Sequence, residues 1–219
     1  MAFDVKLEDG VAELVLNKPP VNALASGEWS ALAERLHALG RDPAVRVVVL
    51  AAEGRGFCAG VDIKELNQDG TRITAVNRGC YDAFGAVYDC EVPVVAAPHG
   101  FCLGGGIGLC GASDVIIAAD DVSFGLPEID RGALGAATHL MRMFGIWKAR
   151  RMLYTGEPIG AQEAFRLGAL DSVVPRAQLR GAARELARKI AGKSPKAVRL
   201  AKESLNGIEL LDVKKSYRF

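Results

Sequence analysis

Residues 56–62, with the sequence GFCAGVD, mark a turn from a strand into a helix. The run before them, residues 45–50, is β-branched and strongly apolar, which predicts a buried strand. Asp62 is placed to cap the short helix that follows, and glycines punctuate the loop between the two elements. This turn therefore predicts a fold in which buried strands alternate with helices.

The alternation extends in both directions from this turn. Towards the N-terminus, Asp9-Gly10 between two apolar runs predicts a β-hairpin, and a helix follows with Ser26 as its N-cap and Gly40 as its end. Towards the C-terminus, the patterns predict a helix at 71–88, a strand at 92–97, a short helix near 105–111 and a strand at 115–118. The last third reads as helical, at 148–153, 161–167, 179–191 and 195–205. The sequence thus predicts an α/β core over residues 1–155 and a helical C-terminal region over residues 156–219.

Composition limits the classes of partner. The chain has 219 residues, of which 50% are hydrophobic and 24% charged, enough for one well-buried core. The formal net charge of +1 gives no basic surplus for binding nucleic acid or an anionic membrane. An anionic ligand would have to be bound by local groups.

The cysteines and the N-terminus suggest a compartment. The five cysteines contain no C-x-x-C, which argues against a zinc site or a disulfide framework and favours a reducing environment. The first ten residues lack the basic and apolar regions of a signal peptide. The charge-free stretch at residues 92–113 is interrupted by Pro93 and Pro98 and is interpreted as buried core, so we expect a cytoplasmic protein without a membrane span or a metal.

Residues 106–111 match the dinucleotide-binding pattern G-x-G-x-x-G. That pattern needs a full crossover helix after the glycines and an acid about 20 residues further on. The next predicted strand begins around Asp114, which leaves no room for that helix. The match is therefore interpreted as coincidental.

Two glycine-rich turns can act together. Residues 58–62 and 104–106 each follow a strand and open a helix, where backbone N–H groups are unsatisfied and the helix dipole is positive. If both turns face one carbonyl oxygen, they form an oxyanion hole. Taken singly, each is better explained as an ordinary glycine-rich turn between a strand and a helix.

Glu128 follows Pro127 and has apolar neighbours. Such surroundings raise a carboxyl pKa and suit it to proton transfer. The residues alone equally allow a loop acid paired with Arg131.

In order and in spacing, these motifs resemble the signatures of the crotonase (enoyl-CoA hydratase/isomerase) superfamily. The resemblance rests on residues 16–19 (LNKP) with 22–24 (NAL), 56–62, Gly100 with 104–106, 124–128 (FGLPE) and 201–203 (AKE). Residues 128–139 (EIDRGALGAATH) are most similar to the actinobacterial branch that hydrolytically opens a ring of a bicyclic CoA thioester in steroid breakdown.

The resemblance implies a fold and a set of site residues. The fold would be a spiral of ββα units with a helical C-terminal region that forms a homotrimer or hexamer. The backbone N–H groups of Val61 and Gly105 would form the oxyanion hole, and Glu128 would be the catalytic carboxylate. The residues that would line the coenzyme A portion of the substrate are Ala23, Leu24, Ala59, Asp62 and Ile63. Coenzyme A is part of the substrate, and no separate cofactor is implied.

The sequence departs from the hydratase pattern in three places. The position of the first hydratase glutamate is Gly108, which we expect to leave space for a bulkier acyl group. Residues 130–135 are not the usual apolar run with a proline, and the chain stops at Phe219, where relatives continue. One carboxylate suits isomerisation or carbon–carbon hydrolysis better than hydration, although the general label remains enoyl-CoA hydratase; a catalytically inactive acyl-CoA-binding protein is the alternative of another class.

Three nearby residues have open roles. Arg131 is interpreted as an ion pair with Asp130, or alternatively as a contact to a substrate carbonyl or carboxylate. His139 is interpreted as a helix histidine with a structural partner rather than a pocket residue. Asp62 is interpreted as a helix cap rather than a catalyst.

Overall fold

The computed structural model describes residues 2–209, apart from the side chain of Arg131. Eleven strands occur in this part of the chain: β1 Phe3–Glu8, β2 Val11–Leu16, β3 Ala23–Leu24, β4 Val47–Ala52, β5 Gly60–Val61, β6 Val94–Ala96, β7 Phe101–Leu103, β8 Val115–Ala119, β9 Ser123–Gly125, β10 Ile159–Gly160 and β11 Ser172–Val174. The same residues contain eight α-helices: α1 Ser26–Arg41, α2 Ile63–Gln68, α3 Ile73–Tyr88, α4 Gly105–Ala112, α5 Ala137–Thr155, α6 Ala161–Arg166, α7 Leu179–Ala191 and α8 Pro195–Ile208.

A six-stranded sheet forms the centre, in the order β1-β2-β4-β6-β8-β11. All neighbouring pairs are parallel except β1 with β2, the predicted hairpin, which turns at Asp9 and Gly10. One face packs against α1, α3 and α4, and the other packs against α7 through Leu179, Ala183, Ala187 and Ala191. Because both faces are covered, β4 is buried at all six positions and has no polar alternation.

Smaller sheets lie beside this one and carry the functional turns. In the first, β7 pairs parallel with β9, and β10 pairs antiparallel with β9. In the second, β3 pairs parallel with β5. Their strands have only two or three residues each, so their placement depends on pairing with neighbours rather than on a local hydrophobic pattern.

The prediction that the last third is wholly helical was wrong. It contains β10 and β11, and β11 pairs with β8 as an edge strand of the central sheet. Three residues are too few to show a period of two, and Pro175 follows them directly. The predicted boundary at residue 155 stays a prediction.

The ends of the first long helix also differ from expectation. Its N-cap is Ala25, whose N–H donates to Glu28 Oε2 at 2.7 Å, and Ser26 is the first helical residue. The Ser26 hydroxyl instead donates to Glu65 at 2.6 Å, which ties α1 to α2. Gly40 lies inside the last turn, and the helix ends at Arg41.

Candidate active site

Three chain segments run side by side in the same direction, and each leads into a turn or helix. The segment at Phe57–Cys58 lies beside β7: Phe57 N–H donates to Phe101 O at 2.9 Å and Leu103 N–H donates to Cys58 O at 2.9 Å. On its other side, β7 pairs with β9 in the register Leu103 to Gly125. The ends of parallel strands meet at one edge, so Gly60, Gly104 and the turn at Glu128 come together.

The carboxylate of Glu128 lies against the backbone of Gly104. A Cβ built on Gly104 would overlap Glu128 Oε1, and the φ of Gly104 is +54°, so only glycine fits here without strain. A short 3₁₀ turn, Pro127–Arg131, holds the carboxylate in this position, and Ala133 N–H donates to the Glu128 carbonyl oxygen at 3.0 Å. This is the close approach between backbone and acid that proton transfer beside an oxyanion hole requires.

The two predicted oxyanion donors also meet in this region. Gly105 opens α4, and the first helical bond runs from Gly108 N–H to Gly104 O at 3.3 Å, so the Gly105 N–H has no acceptor within the helix. Asp62 N–H donates to Leu24 O at 2.8 Å, and because N–H groups alternate along an extended strand, the Val61 N–H points away from β3. The two turns are in contact: a Cβ built on Gly60 would lie 3.0 Å from Gly105 N.

Burial changes the acidity of Glu128. Its Oε2 is buried and has no hydrogen-bond partner among the described residues. Loss of solvation is the largest influence and raises the pKa of the carboxyl above its usual range. A raised pKa makes the carboxylate a stronger base, which suits it to accepting and returning a proton.

The five residues predicted to line coenzyme A lie next to one another, and all except Leu24, which is fully buried in the core, are at least partly exposed. Ala23 and Leu24 pair with Gly60 and Val61, and Ala59 N–H donates to Val21 O at 3.1 Å. Asp62 caps α2 by accepting from Lys64 N–H at 3.0 Å, which confirms its interpretation as a cap, and Ile63 is the exposed first residue of that helix. The structure brings these residues together, and their contact with coenzyme A stays a prediction.

Asn22 explains why this group of residues keeps its arrangement. Its side-chain amide donates to Glu53 O at 2.8 Å and Gly56 O at 2.9 Å, while its Oδ1 accepts from Lys18 N–H at 2.8 Å. Its φ of +53° lies in the left-handed region that asparagine tolerates well. Asn22 therefore fastens the turn before β3 to the loop before β5.

The expected open space at Gly108 is absent, so that prediction was wrong. A Cβ built on Gly108 would overlap the far edge of the Phe84 ring, which comes from α3. The sequence shows that residue 108 has no side chain, but it does not show which neighbour fills the place.

The structure describes His139 and Asp130, but not the side chain of Arg131. His139 packs edge-to-face on Phe84 with ring centroids 5.0 Å apart, and its buried Nδ1 has no hydrogen-bond partner among the described residues. Burial first, and the charge of Arg142 second, lower its pKa. Asp130 is exposed and approaches Gly156, whereas the side chain of Arg131 lies outside the described residues.

Comparison with known proteins identifies the architecture. The model of the enoyl-CoA hydratase/isomerase family matches residues 6–215. The chain belongs to this family. It is an acyl-CoA enzyme with the crotonase fold, as the resemblance in its motifs predicted.

Individual relatives refine the comparison. The chain is 53% identical over 212 residues to the (7aS)-7a-methyl-1,5-dioxo-2,3,5,6,7,7a-hexahydro-1H-indene-carboxyl-CoA hydrolase of Rhodococcus jostii, covering 96% of this chain and 82% of that protein. It is 50% identical over 213 residues to the protein of the same name from Mycobacterium tuberculosis, covering 96% and 86%. The crystal structure of an enoyl-CoA hydratase from Bacillus anthracis superimposes with a TM-score of 0.94 at 33% identity, covering all of this chain and 87% of that one.

Sequence reasoning missed three residues around the site: Trp29, Cys80 and Phe84. Trp29 lies on α1, and its ring would lie 2.6 Å from a Cβ on Gly105. Burial, and secondarily the charge of Glu128, raises the pKa of Cys80 to about 12, so its thiol stays protonated beside the acid. In the sequence all three look like ordinary core residues of helices.

Residues 2–209 contain neither a metal-binding cluster nor a membrane-spanning helix. No group of three or more His, Cys, Asp or Glu side chains is arranged to hold a metal ion. No helix there is long and apolar enough to cross a membrane.

Proposed function

We propose that this protein hydrolyses a carbon–carbon bond in the ring of a cyclic β-keto acyl-CoA. The observation that carries the proposal is the contact between the Glu128 carboxylate and the backbone at Gly104, next to Gly105. At Gly108, where hydratases have their first glutamate, the Phe84 ring occupies the place of a side chain. The relatives at 50% and 53% identity support the proposal, because their names describe hydrolysis of a bicyclic dioxo CoA thioester.

One carboxylate is sufficient for this reaction. The N–H groups of Val61 and Gly105 would polarise the thioester carbonyl, and Glu128 would take a proton from water as its oxygen attacks the ring ketone. Collapse of the tetrahedral adduct breaks the bond between the former ketone carbon and the α-carbon, and the electron pair moves into the thioester enolate. Glu128 then returns the proton to the α-carbon, so one water is consumed and a new carboxylic acid forms.

Double-bond isomerisation or hydration is the second candidate. It is favoured by the enoyl-CoA hydratase structure, which shares the fold at 33% identity. Isomerisation needs the same enolate and one acid–base group, whereas hydration needs a positioned water and a proton for the α-carbon, which one carboxylate supplies less easily. We therefore rank hydration of simple enoyl-CoA substrates below ring hydrolysis.

Two thioesters distinguish these reactions. The purified protein is incubated separately with 2-oxocyclohexane-carboxyl-CoA and with crotonyl-CoA, and the products are identified by mass spectrometry. We expect the cyclic thioester to gain one water and an open-chain carboxylate, and crotonyl-CoA to be barely hydrated. Hydration of crotonyl-CoA near the diffusional ceiling of about 10⁸–10⁹ M⁻¹s⁻¹ would overturn the proposal. Binding of both thioesters without turnover would instead favour a catalytically inactive acyl-CoA-binding protein.

The remaining expectations are part of the same proposal. We expect no resident metal or redox cofactor, because each step uses only backbone donors and a carboxylate. All five cysteines are free thiols, which suits a reducing cytoplasm. We also expect a homotrimer or a pair of trimers, supported by exposed apolar side chains on α5, including Trp147 and Tyr154.

A further inference from the structure

The ring of Phe84 lies on the backbone of α4 next to the oxyanion hole. A Cβ on Gly108 would overlap three atoms of this ring, so the ring rests directly on the helix. Gly108 is three residues, or about 4.5 Å along the helix axis, after Gly105. Phe84 is only 8% exposed, which leaves it little room to move aside.

Two other aromatic rings fix its orientation. The Trp29 ring meets it edge-to-face at a centroid distance of 5.6 Å, and the His139 ring meets it on the other side at 5.0 Å. The Trp29 ring lies against Gly105, and the Cβ and backbone of His139 lie against Gly111, so Trp29, Phe84 and His139 each pack on a different glycine of α4. Such edge-to-face pairs add to the packing energy of the rings and favour one arrangement.

Beyond Phe84 lies a large cavity that does not include the oxyanion residues. Its volume is about 1060 Å³, and its lining includes Phe84, Gly111, Ala112 and His139 but not Gly105 or Glu128. The cavity therefore begins at the C-terminal half of α4, whereas the predicted chemistry takes place at its N-terminus. Phe84 contacts α4 at Gly108 and also lines the cavity, so it lies between the predicted catalytic end of α4 and the cavity.

We propose that Phe84 is a specificity-determining residue that ends the acyl pocket and separates it from this cavity. With the ring in place, the site accepts a compact acyl group, such as a small ring, and excludes a long straight chain. The inference rests on the proposed function only in assuming that a CoA thioester binds at the Gly105 end of α4.

Binding of unreactive thioesters tests this role separately from catalysis. Acetyl-, octanoyl- and dodecanoyl-CoA, each below its micelle concentration, are titrated into the wild-type protein and the Phe84→Ala variant by calorimetry. Phe84→Leu is the second variant, in case loss of the whole ring prevents folding, and Phe165→Ala on α6 is a control for removal of an aromatic ring elsewhere. Circular dichroism verifies the fold of each variant.

We expect the wild-type protein to bind acetyl-CoA at least as tightly as the longer thioesters. Phe84→Ala should bind dodecanoyl-CoA about tenfold or more tightly than the wild-type protein does, the lower end of what one well-placed methylene contributes. Phe84→Leu should give a smaller gain of the same sign, Phe165→Ala none, and the affinity for acetyl-CoA should not change. If folded Phe84→Ala and Phe84→Leu keep the wild-type dependence on chain length, the inference is wrong while the proposed function stands. If the wild-type protein binds no CoA thioester at all, the proposed function fails first.

Discussion

At the scale of single residues, Glu128 combines burial of one carboxylate oxygen with close contact between the other and the backbone of Gly104. The Oε2 atom is buried without a partner among the described residues, so the ionised form is disfavoured, whereas Oε1 lies against the Gly104 backbone, where a substrate carbonyl can approach. The sequence already indicates the first property, because Glu128 follows proline among apolar residues. The second depends on the pairing of β7 with β9, two strands of three residues, and could not be predicted locally.

The raised pKa of Glu128 predicts the pH dependence of the reaction. As a base Glu128 must be ionised, so kcat/KM should fall as pH is lowered through a pKa above the ordinary glutamate value of about 4.3. Glu128→Gln should remove that acidic limb and reduce the rate by about 10²–10⁴-fold. Because the folded-state pKa is raised above the unfolded value of about 4.3, Glu128 lowers folding stability progressively as pH rises from the unfolded pKa through the folded one. Glu128→Gln should therefore be at least as stable as the wild type at neutral pH. If Glu128→Gln turned over at the wild-type rate throughout the pH profile, Glu128 would have no part in the mechanism.

Gly105 allows backbone donation to be separated from packing. Gly105→Pro removes the N–H, and proline is well tolerated at the first position of a helix. Any side chain at this position also meets the Trp29 ring at 2.6 Å, so Gly105→Ala is the matched control that keeps the N–H. We expect the proline variant to be slower than the alanine variant by about 10²–10³-fold in kcat, the usual cost of one oxyanion donor.

The other donor provides an independent check. Val61→Ala retains its N–H and should lose little activity. Equal rates for Gly105→Pro and Gly105→Ala would show that packing against Trp29, rather than hydrogen bonding, decides activity at residue 105.

At the scale of elements, helices were predicted better than strands. The predicted helix at 179–191 coincides with α7, and the helix at 71–88 differs from α3 by two residues at its start. The strands of the two smaller sheets were not predicted, because two or three residues cannot show alternation. Gly145, with φ +70°, breaks α5 into two helical segments, and the helix predicted at 148–153 lies in the second of them. The first segment, from Ala137 to the break, was not predicted.

Packing between α3 and α4 depends on the pairing of Phe84 with Gly108. Gly108→Ala alone should lower the free energy of unfolding by about 1–3 kcal/mol, because the new methyl group overlaps the ring. In a Phe84→Ala background the same substitution should become neutral or stabilising by about 0.5–1 kcal/mol, the helix preference of alanine over glycine. Urea denaturation of the four proteins measures this reversal of sign. An equal cost of Gly108→Ala in both backgrounds would show that the two residues do not interact.

At the scale of the whole molecule, ion pairs with one buried partner each connect the C-terminal helices to the rest of the core. Glu13 on β2 is 5% exposed and accepts from Arg180 and Arg184 on α7 at 2.8 and 2.6 Å. Lys202 on α8 is also 5% exposed and donates to Asp114 Oδ2 at 2.7 Å and to the carbonyl oxygens of Val87 and Val92. Removing one partner of such a pair leaves a buried charge, so these contacts fix where α7 and α8 lie.

The surface of α5 leads to the last prediction. Trp147 is 80% exposed and Tyr154 is 70% exposed, and Ile146 adds apolar area on the same segment of α5, after the break at Gly145. This much exposed apolar surface on one element is typical of an interface, and closed symmetry lets three identical copies cover it. The resemblance assigned the trimer contacts to the helical C-terminal region, residues 156–219, whereas Trp147 and Tyr154 lie just before that region.

We therefore expect the protein to scatter light as three or six chains at micromolar concentration. Trp147→Asp should shift the mass towards a single chain, because burying an unpaired carboxylate in an apolar interface is unfavourable. Tyr81→Asp is the control, since Tyr81 is similarly exposed, at 72%, but lies on α3. A wild-type protein that is monomeric under these conditions would refute the assembly. A variant Trp147→Asp that keeps the wild-type mass would show instead that the subunits meet through another face.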